Sequence, residues 1–295
     1  MAFIPGISMN AEGEKKAFIQ IVDGTSNTSE FIEFNGSEFH SNKNEFALSI
    51  AENSFNGSGI EFNLPHLKGK IRFNDQVNWP KNIYAPNVMG PLNYYPFLEC
   101  YHGVLSLNHT LKGKIEYNGK VMDFSGGKEY TEKDWGHSFP KAHVWMQSNH
   151  FPSDQVSFQA AIADVNILSR KKLGFIAGLW INGALYQFST YNFSKLKKTE
   201  LSSDVASLSF ENRKYKLDII AHSCGVNAKL IAPSNGKMEV FLNECLGATI
   251  SLSLSEKKTG KIIFNETGRN GGLEIAGEFE SLKISPVEAQ IQSVY

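Results

Sequence analysis

The chain lacks several features that would assign it to a functional class at once. It has no dense run of Lys or Arg, and 29 basic residues balance 30 acidic ones for a formal net charge of -1. Because phosphate binding needs a clustered cationic surface, nucleic acid is not expected as a partner. No window approaches the ~18 uncharged apolar residues of a membrane helix. We therefore expect no transmembrane segment, although transient contact with a membrane to collect a substrate stays open.

Cysteine is also scarce. The three cysteines are Cys100, Cys224 and Cys245, and an odd number at wide spacing indicates neither a disulfide framework nor a zinc knuckle. The amino terminus, from Met1 to Gly6, lacks the charged start and continuous apolar stretch of a signal peptide. The expectation that follows is a reducing, cytoplasmic setting.

Convincing amphipathic helices are scarce as well, whereas alternation of apolar and polar residues with period two dominates. Strands are predicted over 17–22, 46–50, 103–117 (one long strand or two with a bend), 120–124, 175–181, 184–191, 216–221, 238–242, 248–254 and 261–264. Turns are predicted at Asp23-Gly24, Asn56-Gly57, Asn118-Gly119 and Asn182-Gly183. The segment 286–295 forms either a short helix or a last strand. Many short strands joined by hairpins indicate barrels or sandwiches, and removal of sheet edges favours barrels.

A weak internal repeat supports a repetitive β architecture. The segment 67–74 recurs as 111–118, and a shorter third copy covers 260–265. Each copy sets Ile and an aromatic residue two positions apart, so both side chains point to one face of a strand. The repeat predicts similar hairpins early and late in the chain.

Polar and aromatic side chains concentrate between residues 96 and 151. The two clusters of this segment, 96–103 and 126–151, hold two of the four tryptophans and four of the eight histidines: His102, His137, His143 and His150. Such groups are costly to bury without partners, so we expect them to face a cavity or to form a hydrogen-bonded network.

Within this segment the sequence resembles the tocopherol cyclase family. The matching blocks are Glu99-Cys100-Tyr101-His102-Gly103, the acid-Lys-Asp-Trp-Gly run Glu129-Tyr130-Thr131-Glu132-Lys133-Asp134-Trp135-Gly136-His137-Ser138-Phe139-Pro140, and Trp145-Met146-Gln147-Ser148-Asn149. Flanking similarities lie at 87–91, 177–179 and 188–191, so the resemblance runs through nearly the whole chain. Family members carry an amino-terminal Phe-Glu-Gly-Trp-Tyr-type strand before the Phe-Ile-Pro-Gly segment. This chain begins at Met1 without it, so either the protein is shortened or Met1 is not its full natural start, and the first half of the fold is expected to lack that strand.

The resemblance implies an all-β fold of the lipocalin-like (calycin) kind, built as two β-barrel halves over 1–122 and 123–295. It also implies a cyclase of the intramolecular lyase type, which closes a chromanol ring on a prenylated quinol or hydrates a related isoprenoid. Neither a cofactor nor a metal is expected. The histidines at 137, 143 and 150 have none of the spacings of recognised metal sites.

Ring closure of this type needs an acid that protonates an alkene, aromatic faces that stabilise the cation, and a group that orients the phenol. A carboxyl kept neutral in an apolar pocket is a suitable acid. Asp134 is the first candidate and Glu132 the second, because the two share one face of a strand while Lys133 and Trp135 point the other way. His102 and Glu99 are the alternative proton-handling pair.

The aromatic residues of the same segment are candidates for the wall of the pocket. These substrate-binding candidates are Tyr101, Tyr130, Trp135 and Trp145, and Gln147 and Asn149 could bind a quinol oxygen. Each of these residues also has a purely structural interpretation. Two further hypotheses therefore stay open: a non-catalytic lipocalin-like carrier of an apolar small molecule, and a structural protein whose polar segment is only a buried network.

Overall fold

The computed structural model describes residues 1–167, 170–225 and 228–282. In these residues the regular structure consists of β-strands and short 3-10 turns, which confirms the prediction of an all-β fold. No helix of the described residues is long and apolar enough to cross a membrane. The segment 286–295, for which the sequence left helix and strand open, lies outside the described residues.

The strands form three antiparallel sheets. The first contains β1 (Ala2–Met9), β2 (Lys15–Asp23) and β3 (Thr28–Asn35) in that order. The second contains β4 (Phe39–Ser41), β5 (Ala47–Ile50), β6 (Asn53–Asn56), β7 (Gly59–Leu64), β8 (Leu67–Val77), β9 (Cys100–Tyr117), β10 (Lys120–Asp123) and β11 (Lys128–Gly136). The third contains β12 (His143–Ser148), β13 (Val156–Ile167), β14 (Arg170–Ile181), β15 (Ala184–Ser189), β16 (Lys195–Leu201), β17 (Val205–Glu211), β18 (Tyr215–His222), β19 (Ala228–Ser234), β20 (Lys237–Glu256) and β21 (Ile262–Ala276).

The order of strands places the two large sheets one after the other along the chain. The second sheet runs β10-β9-β8-β7-β6-β5-β4 with β11 beside β9, and the third runs β15-β14-β13-β12-β21-β20-β18-β17-β16 with β19 beside β20. The change of sheet falls between Gly136 and His143, and the division into 1–122 and 123–295 stays a prediction. Within the described residues no pairing joins the end strands of either large sheet, so the two closed barrels are unconfirmed.

Two of the predicted hairpin turns have the backbone that their sequence requires. Asn118 and Gly119 have φ of 51° and 76°, and Asn182 and Gly183 have φ of 46° and 87°. Positive φ at both central residues is the type I′ geometry that matches the twist of the flanking strands. These two turns fix the pairing of β9 with β10 and of β14 with β15.

The internal repeat corresponds to two neighbouring strands. Its first two copies lie in β8 and β9 and pair antiparallel, so that Gly69 faces Ile115 and Ile71 faces Gly113. Both glycines have positive φ, and a Cβ on Gly113 would lie 2.1 Å from the carbonyl oxygen of Lys70. The glycine of the repeat therefore lets the two strands approach closely, which a larger residue would prevent.

Several strands are longer than the sequence predicted. The predicted strands 238–242 and 248–254 are parts of the single strand β20, and the predicted strand 261–264 is only the start of β21. Both long strands have irregular pairing with each other between Cys245 and Ile250. Bulges of this kind interrupt the period-two pattern that the prediction followed, so the continuous strands were read as separate pieces.

Each large sheet contributes to an apolar core of its own. One core lies in the third sheet and includes Val144, Met146, Phe158 and Phe210. A second core joins the first two sheets. Because side chains alternate along a strand, the core positions Val144 and Met146 of β12 leave His143, Trp145 and Gln147 on the opposite face.

A disulfide corrects the interpretation of the cysteines. Cys224 and Cys245 are bonded, with Cα atoms 6.1 Å apart and a sequence separation of 21. The wide spacing concealed this pair because β18 and β20 are neighbouring strands that pair His222 with Thr249. Cys100 is the free cysteine.

Candidate active site

A large cavity adjoins the polar segment of the sequence. Its volume is about 2080 Å³, and side chains of all three sheets line it, among them Phe3 of β1, Glu132 of β11 and Trp145 of β12. Asp134 and His102 also border it. The acids predicted from the sequence therefore border a large, partly open cleft, which exceeds the ~300–1,000 Å³ of a usual ligand pocket.

The pairing of β11 with β9 positions the acids. Asp134 lies opposite His102, and Glu132 lies opposite Val104. Directly opposite residues of antiparallel strands present their side chains on one face, so His102, Glu132 and Asp134 share a face, as the alternation predicts for the two acids. The register shifts next to Thr131, and such a bulge re-aims the side chains beside it.

His102 bridges the two carboxylates. Its Nδ1 lies 2.8 Å from Asp134 Oδ1, and its Nε2 lies 3.6 Å from Glu132 Oε2. Burial alone would lower the pKa of His102, but the charges of Glu132 and Asp134 outweigh that effect and raise the pKa to about 9. At neutral pH this histidine is therefore an imidazolium held between two acids.

Glu132 is the carboxyl of this group that accepts hydrogen bonds from two aromatic side chains. Its Oε2 accepts hydrogen bonds from the Tyr130 hydroxyl at 2.6 Å and from Trp145 Nε1 at 3.1 Å. Burial raises its pKa, the charge of His102 opposes this, and the charge of Asp134 adds to it, for a value of about 7. A substantial fraction of Glu132 is thus a neutral acid near neutral pH.

Gln159 completes the surroundings of His102. Its Nε2 lies 3.3 Å from His102 Nε2, while its Oε1 is buried without a hydrogen-bond partner in the described residues. The two ends of an amide are interchangeable in shape. A half-turn of the amide brings the oxygen to the protonated ring nitrogen, which satisfies both groups and fits the imidazolium form.

His102, Glu132 and Asp134 are also the residues that could hold a metal ion, since each offers a ligand atom within 4.8 Å of the others. One imidazole nitrogen and two carboxylates suit a divalent cation. In the present arrangement Nδ1 of His102 is already bonded to Asp134. A cation on that nitrogen would have to displace this bond, and the expectation of no metal stays a prediction.

The two amides predicted to bind a quinol oxygen differ in the structure. Both Gln147 and Asn149 line the cavity. Asn149 Nδ2 donates to Asn108 Oδ1 at 3.1 Å, whereas Gln147 Nε2 is buried with no partner in the part of the chain that the structure describes. An unsatisfied buried donor beside a cavity is costly unless a ligand accepts from it, so Gln147 is the better candidate.

Other predicted site residues are not part of this cluster. Glu99 accepts from Asn166 at 3.0 Å and makes no pair with His102. Trp135 borders the cavity and is 38% exposed, but its ring stacks on Tyr101 at 5.4 Å. That stack lies on the face of the β9–β11 pair away from Asp134, since Trp135 pairs with Tyr101 and Asp134 with His102. Tyr130 and Trp145 are the two predicted aromatic residues that contact Glu132.

The sequence interpretation missed three polar residues beside the cavity or the cluster: Gln159, Glu244 and Glu274. Glu244 lies between the two predicted strands that are in fact one, and Glu274 lies beyond the predicted end of β21. His143 belongs to the polar segment that the sequence analysis identified, and it borders the cavity. For Gln159, the sequence carries no comparable signal.

Comparison with known proteins identifies relatives. The family model described as tocopherol cyclase-like matches residues 25–277. The tocopherol cyclase of Zea mays and the probable tocopherol cyclase of Oryza sativa subsp. japonica, both named as chloroplastic, are 27% identical over 203 residues. That alignment covers 64% of this chain but only 41% and 42% of the relatives, so the match spans about two fifths of their length. The family does not favour the carrier hypothesis.

Solved structures support the fold alone. The crystal structure of CghA with Sch210972 aligns with a TM-score of 0.50 and 8% identity, covering 92% of this chain and 87% of that one. At this identity the similarity concerns the arrangement of strands and carries no conclusion about the chemistry of the site.

Proposed function

The chain belongs to the tocopherol cyclase-like family, and we propose that it catalyses the acid-dependent cyclisation, or hydration, of a prenylated quinol or related isoprenoid bound in the cavity. The observation that carries the proposal is Glu132, a carboxyl on the cavity wall. Its pKa is raised by burial, lowered by the charge of His102 and raised by the charge of Asp134, with a resulting value of about 7. Such a group supplies a proton to an apolar substrate without any cofactor. The cytoplasmic location expected from the sequence stays a prediction.

The proposed step adds the phenol O–H across the alkene. Glu132 transfers its proton to one alkene carbon, and the positive charge develops on the tertiary carbon. The phenol oxygen then forms the new C–O bond, and its proton returns to the Glu132 carboxylate, so the product is an isomer of the substrate. In a hydration, water replaces the phenol oxygen in the same sequence.

The neighbours of Glu132 have distinct proposed roles. Tyr130 and Trp145 bond to Oε2, which leaves Oε1 to carry the proton, and each of their rings can stabilise the cation by about 0.5–2 kcal/mol. Asp134 holds His102 by its Nδ1, so we assign Asp134 to positioning and charge, although it was the first candidate for the acid. The unpartnered amide of Gln147 would donate to a quinol oxygen.

Incorporation of deuterium tests this proposal. Purified protein is incubated with 2-geranylhydroquinone in D2O under anaerobic conditions, and the product is returned to H2O before mass spectrometry. We expect an isomer of the substrate that retains one deuterium, because the transferred proton becomes a C–H bond that does not exchange.

Glu132→Gln should abolish this incorporation, because an amide cannot transfer the proton. Glu116→Gln is the matched control, since Glu116 is exposed on β9. No isomeric product from the parent protein, or equal product from Glu132→Gln, would overturn the assignment.

A further inference from the structure

A second group of ionisable side chains faces the same cavity from the third sheet. Trp145 of β12 lies opposite Glu274 of β21, and Glu274 lies opposite Glu244 of β20. Residues directly opposite each other on antiparallel strands share a face, so these three side chains form a row across the sheet. His143, two residues before Trp145, is on the same face. All four line the cavity.

Within this row His143 and Glu274 satisfy each other. His143 Nε2 lies 3.2 Å from Glu274 Oε2, and its Nδ1 lies 3.0 Å from the carbonyl oxygen of Pro140. Both ring nitrogens thus face acceptors, which requires both to carry a proton. Burial lowers the pKa of His143, but the hydrogen bond and the charge of Glu274 raise it overall. The pair is an ion pair with no net charge.

Glu244 is the member of the row without such a partner. Its side chain belongs to a residue that is only 6% exposed, and its Oε2 has no hydrogen bond to any described residue. Burial and the charges of Glu274 and Glu132 raise its pKa, and the charge of the Met1 amino group opposes them, with a resulting value of about 8. At neutral pH Glu244 is therefore a neutral carboxylic acid, with one hydroxyl that donates and one oxygen that accepts.

We propose that Glu244, held beside the His143–Glu274 ion pair, is a recognition site for the phenolic hydroxyl that does not react. This inference rests on the proposed function, because it assumes a quinol head group. A hydroxyl is both donor and acceptor, and a neutral carboxylic acid matches it with both kinds of hydrogen bond. The row that links Glu244 through Glu274 to Trp145, and hence to Glu132, would hold the ring between the recognition site and the acid.

Binding, measured separately from turnover, tests the proposal. Quenching of tryptophan fluorescence under anaerobic conditions gives Kd for 2-geranylhydroquinone and for 2-geranylphenol, which lacks the second hydroxyl. A buried polar group left unpaired by the smaller ligand should weaken binding about tenfold. We expect the parent protein to prefer the hydroquinone by that factor, and Glu244→Leu to bind both ligands equally.

Two further variants make the result specific. Glu244→Gln keeps a donor and an acceptor and should retain most of the preference. Glu239→Gln, an exposed position on the same strand, should retain all of it. Thermal unfolding checks folding, and Glu244→Leu should melt no lower than the parent protein because it removes a buried, unpartnered acid.

The outcomes separate this inference from the proposed function. Binding preference that is lost in Glu244→Leu supports the recognition site even if the parent protein shows no turnover. Preference retained in Glu244→Leu, or no preference in the parent protein, would overturn the inference while leaving cyclisation by Glu132 untouched. If Glu244→Gln binds both ligands like the parent protein but has lost turnover, Glu244 is instead the proton donor. That outcome would also overturn the inference.

Discussion

The protonation state of Glu132 should set the alkaline limit of activity. Burial and the charge of Asp134 raise the pKa of Glu132, and the charge of His102 lowers it. The resulting pKa is about 7. If the neutral acid is the reactive form, roughly one tenth of the molecules are active at pH 8 and one hundredth at pH 9. The turnover number should therefore fall about tenfold for each pH unit above 7. The assay is kcat for 2-geranylhydroquinone at saturating substrate between pH 5 and pH 9.

Replacing His102 should shift the pH dependence of kcat in a known direction. The imidazolium of His102 lowers the pKa of Glu132, so His102→Gln should move the alkaline limb of the profile to higher pH. Loss of a general acid usually costs about 10²–10⁴ in rate, and the rate of Glu132→Gln should be lower by a factor in that range below pH 7. Glu116→Gln should reproduce the parent profile.

Three outcomes would refute the assignment of Glu132 as the acid. The first is a parent profile that stays flat from pH 7 to pH 9. The second is a His102→Gln limb that moves to lower pH, since loss of the positive charge can only favour the neutral carboxyl. The third is a Glu132→Gln variant that retains the parent rate.

Three other substitutions test the surroundings of the acid. Trp145→Phe removes the Nε1 hydrogen bond, which lowers the pKa of Glu132, so its alkaline limb should also move to higher pH, by less than the His102 variant. Gly272→Ala would place a Cβ 2.5 Å from the Trp145 ring and should displace that ring, lowering kcat about tenfold or more with an altered tryptophan emission spectrum. Asp134→Asn removes a charge and a hydrogen bond that raise the pKa of His102, and a proton NMR titration should show a His102 pKa well below 9; an unchanged value would contradict the proposed role of Asp134.

Local sequence information was sufficient for the all-β class and for fewer than half of the strands in the described residues. Period-two alternation and the Asn-Gly pairs located β9, β10, β14 and β15, because both are properties of consecutive residues. The same alternation correctly placed Glu132 and Asp134 on one face of β11. Closure of the sheets depends on which distant strands pair, and no local pattern encodes that.

The relative burial of the two acids could not be read from the sequence. Glu132 and Asp134 are equivalent in a strand pattern, but the Asp134 side chain is 31% exposed and that of Glu132 is 24% exposed. Asp134 lies two residues before Gly136, where β11 ends, while Glu132 is covered by Tyr130 and by Trp145 from another sheet. The choice between them depends on a contact across sheets.

The group of His143, Glu244 and Glu274 could not be predicted from the sequence for the same reason, because its members meet only through strand pairing. His143 and Glu274 are separated by 131 residues, and Glu244 reaches them only because β20 and β21 pair. Bulges between these strands also break the alternation that would have predicted their full length. A single sequence does not show which distant residues become neighbours through strand pairing, unless one motif contains them.

The energetics of the cavity wall argue that its polar residues serve a function. An unsatisfied buried polar group costs about 1–3 kcal/mol, and Gln147 and Glu244 each have one such atom in the described residues. The raised pKa of Glu132 and of Glu244 adds to this cost. Their contribution to stability is fully present below the usual carboxyl pKa of 4.5 and is lost as the pH rises through about 7 and about 8.

Apolar residues at these positions would avoid both costs, and the other face of β12 shows that the sheet accommodates them, since Val144 and Met146 are completely buried there. On the cavity face of the same strand, His143 and Trp145 have hydrogen-bond partners, whereas the Gln147 amide nitrogen has none among the described residues. Selection for stability alone would replace such groups. Polar groups without partners beside a large cleft are the expected pattern when a ligand supplies those partners.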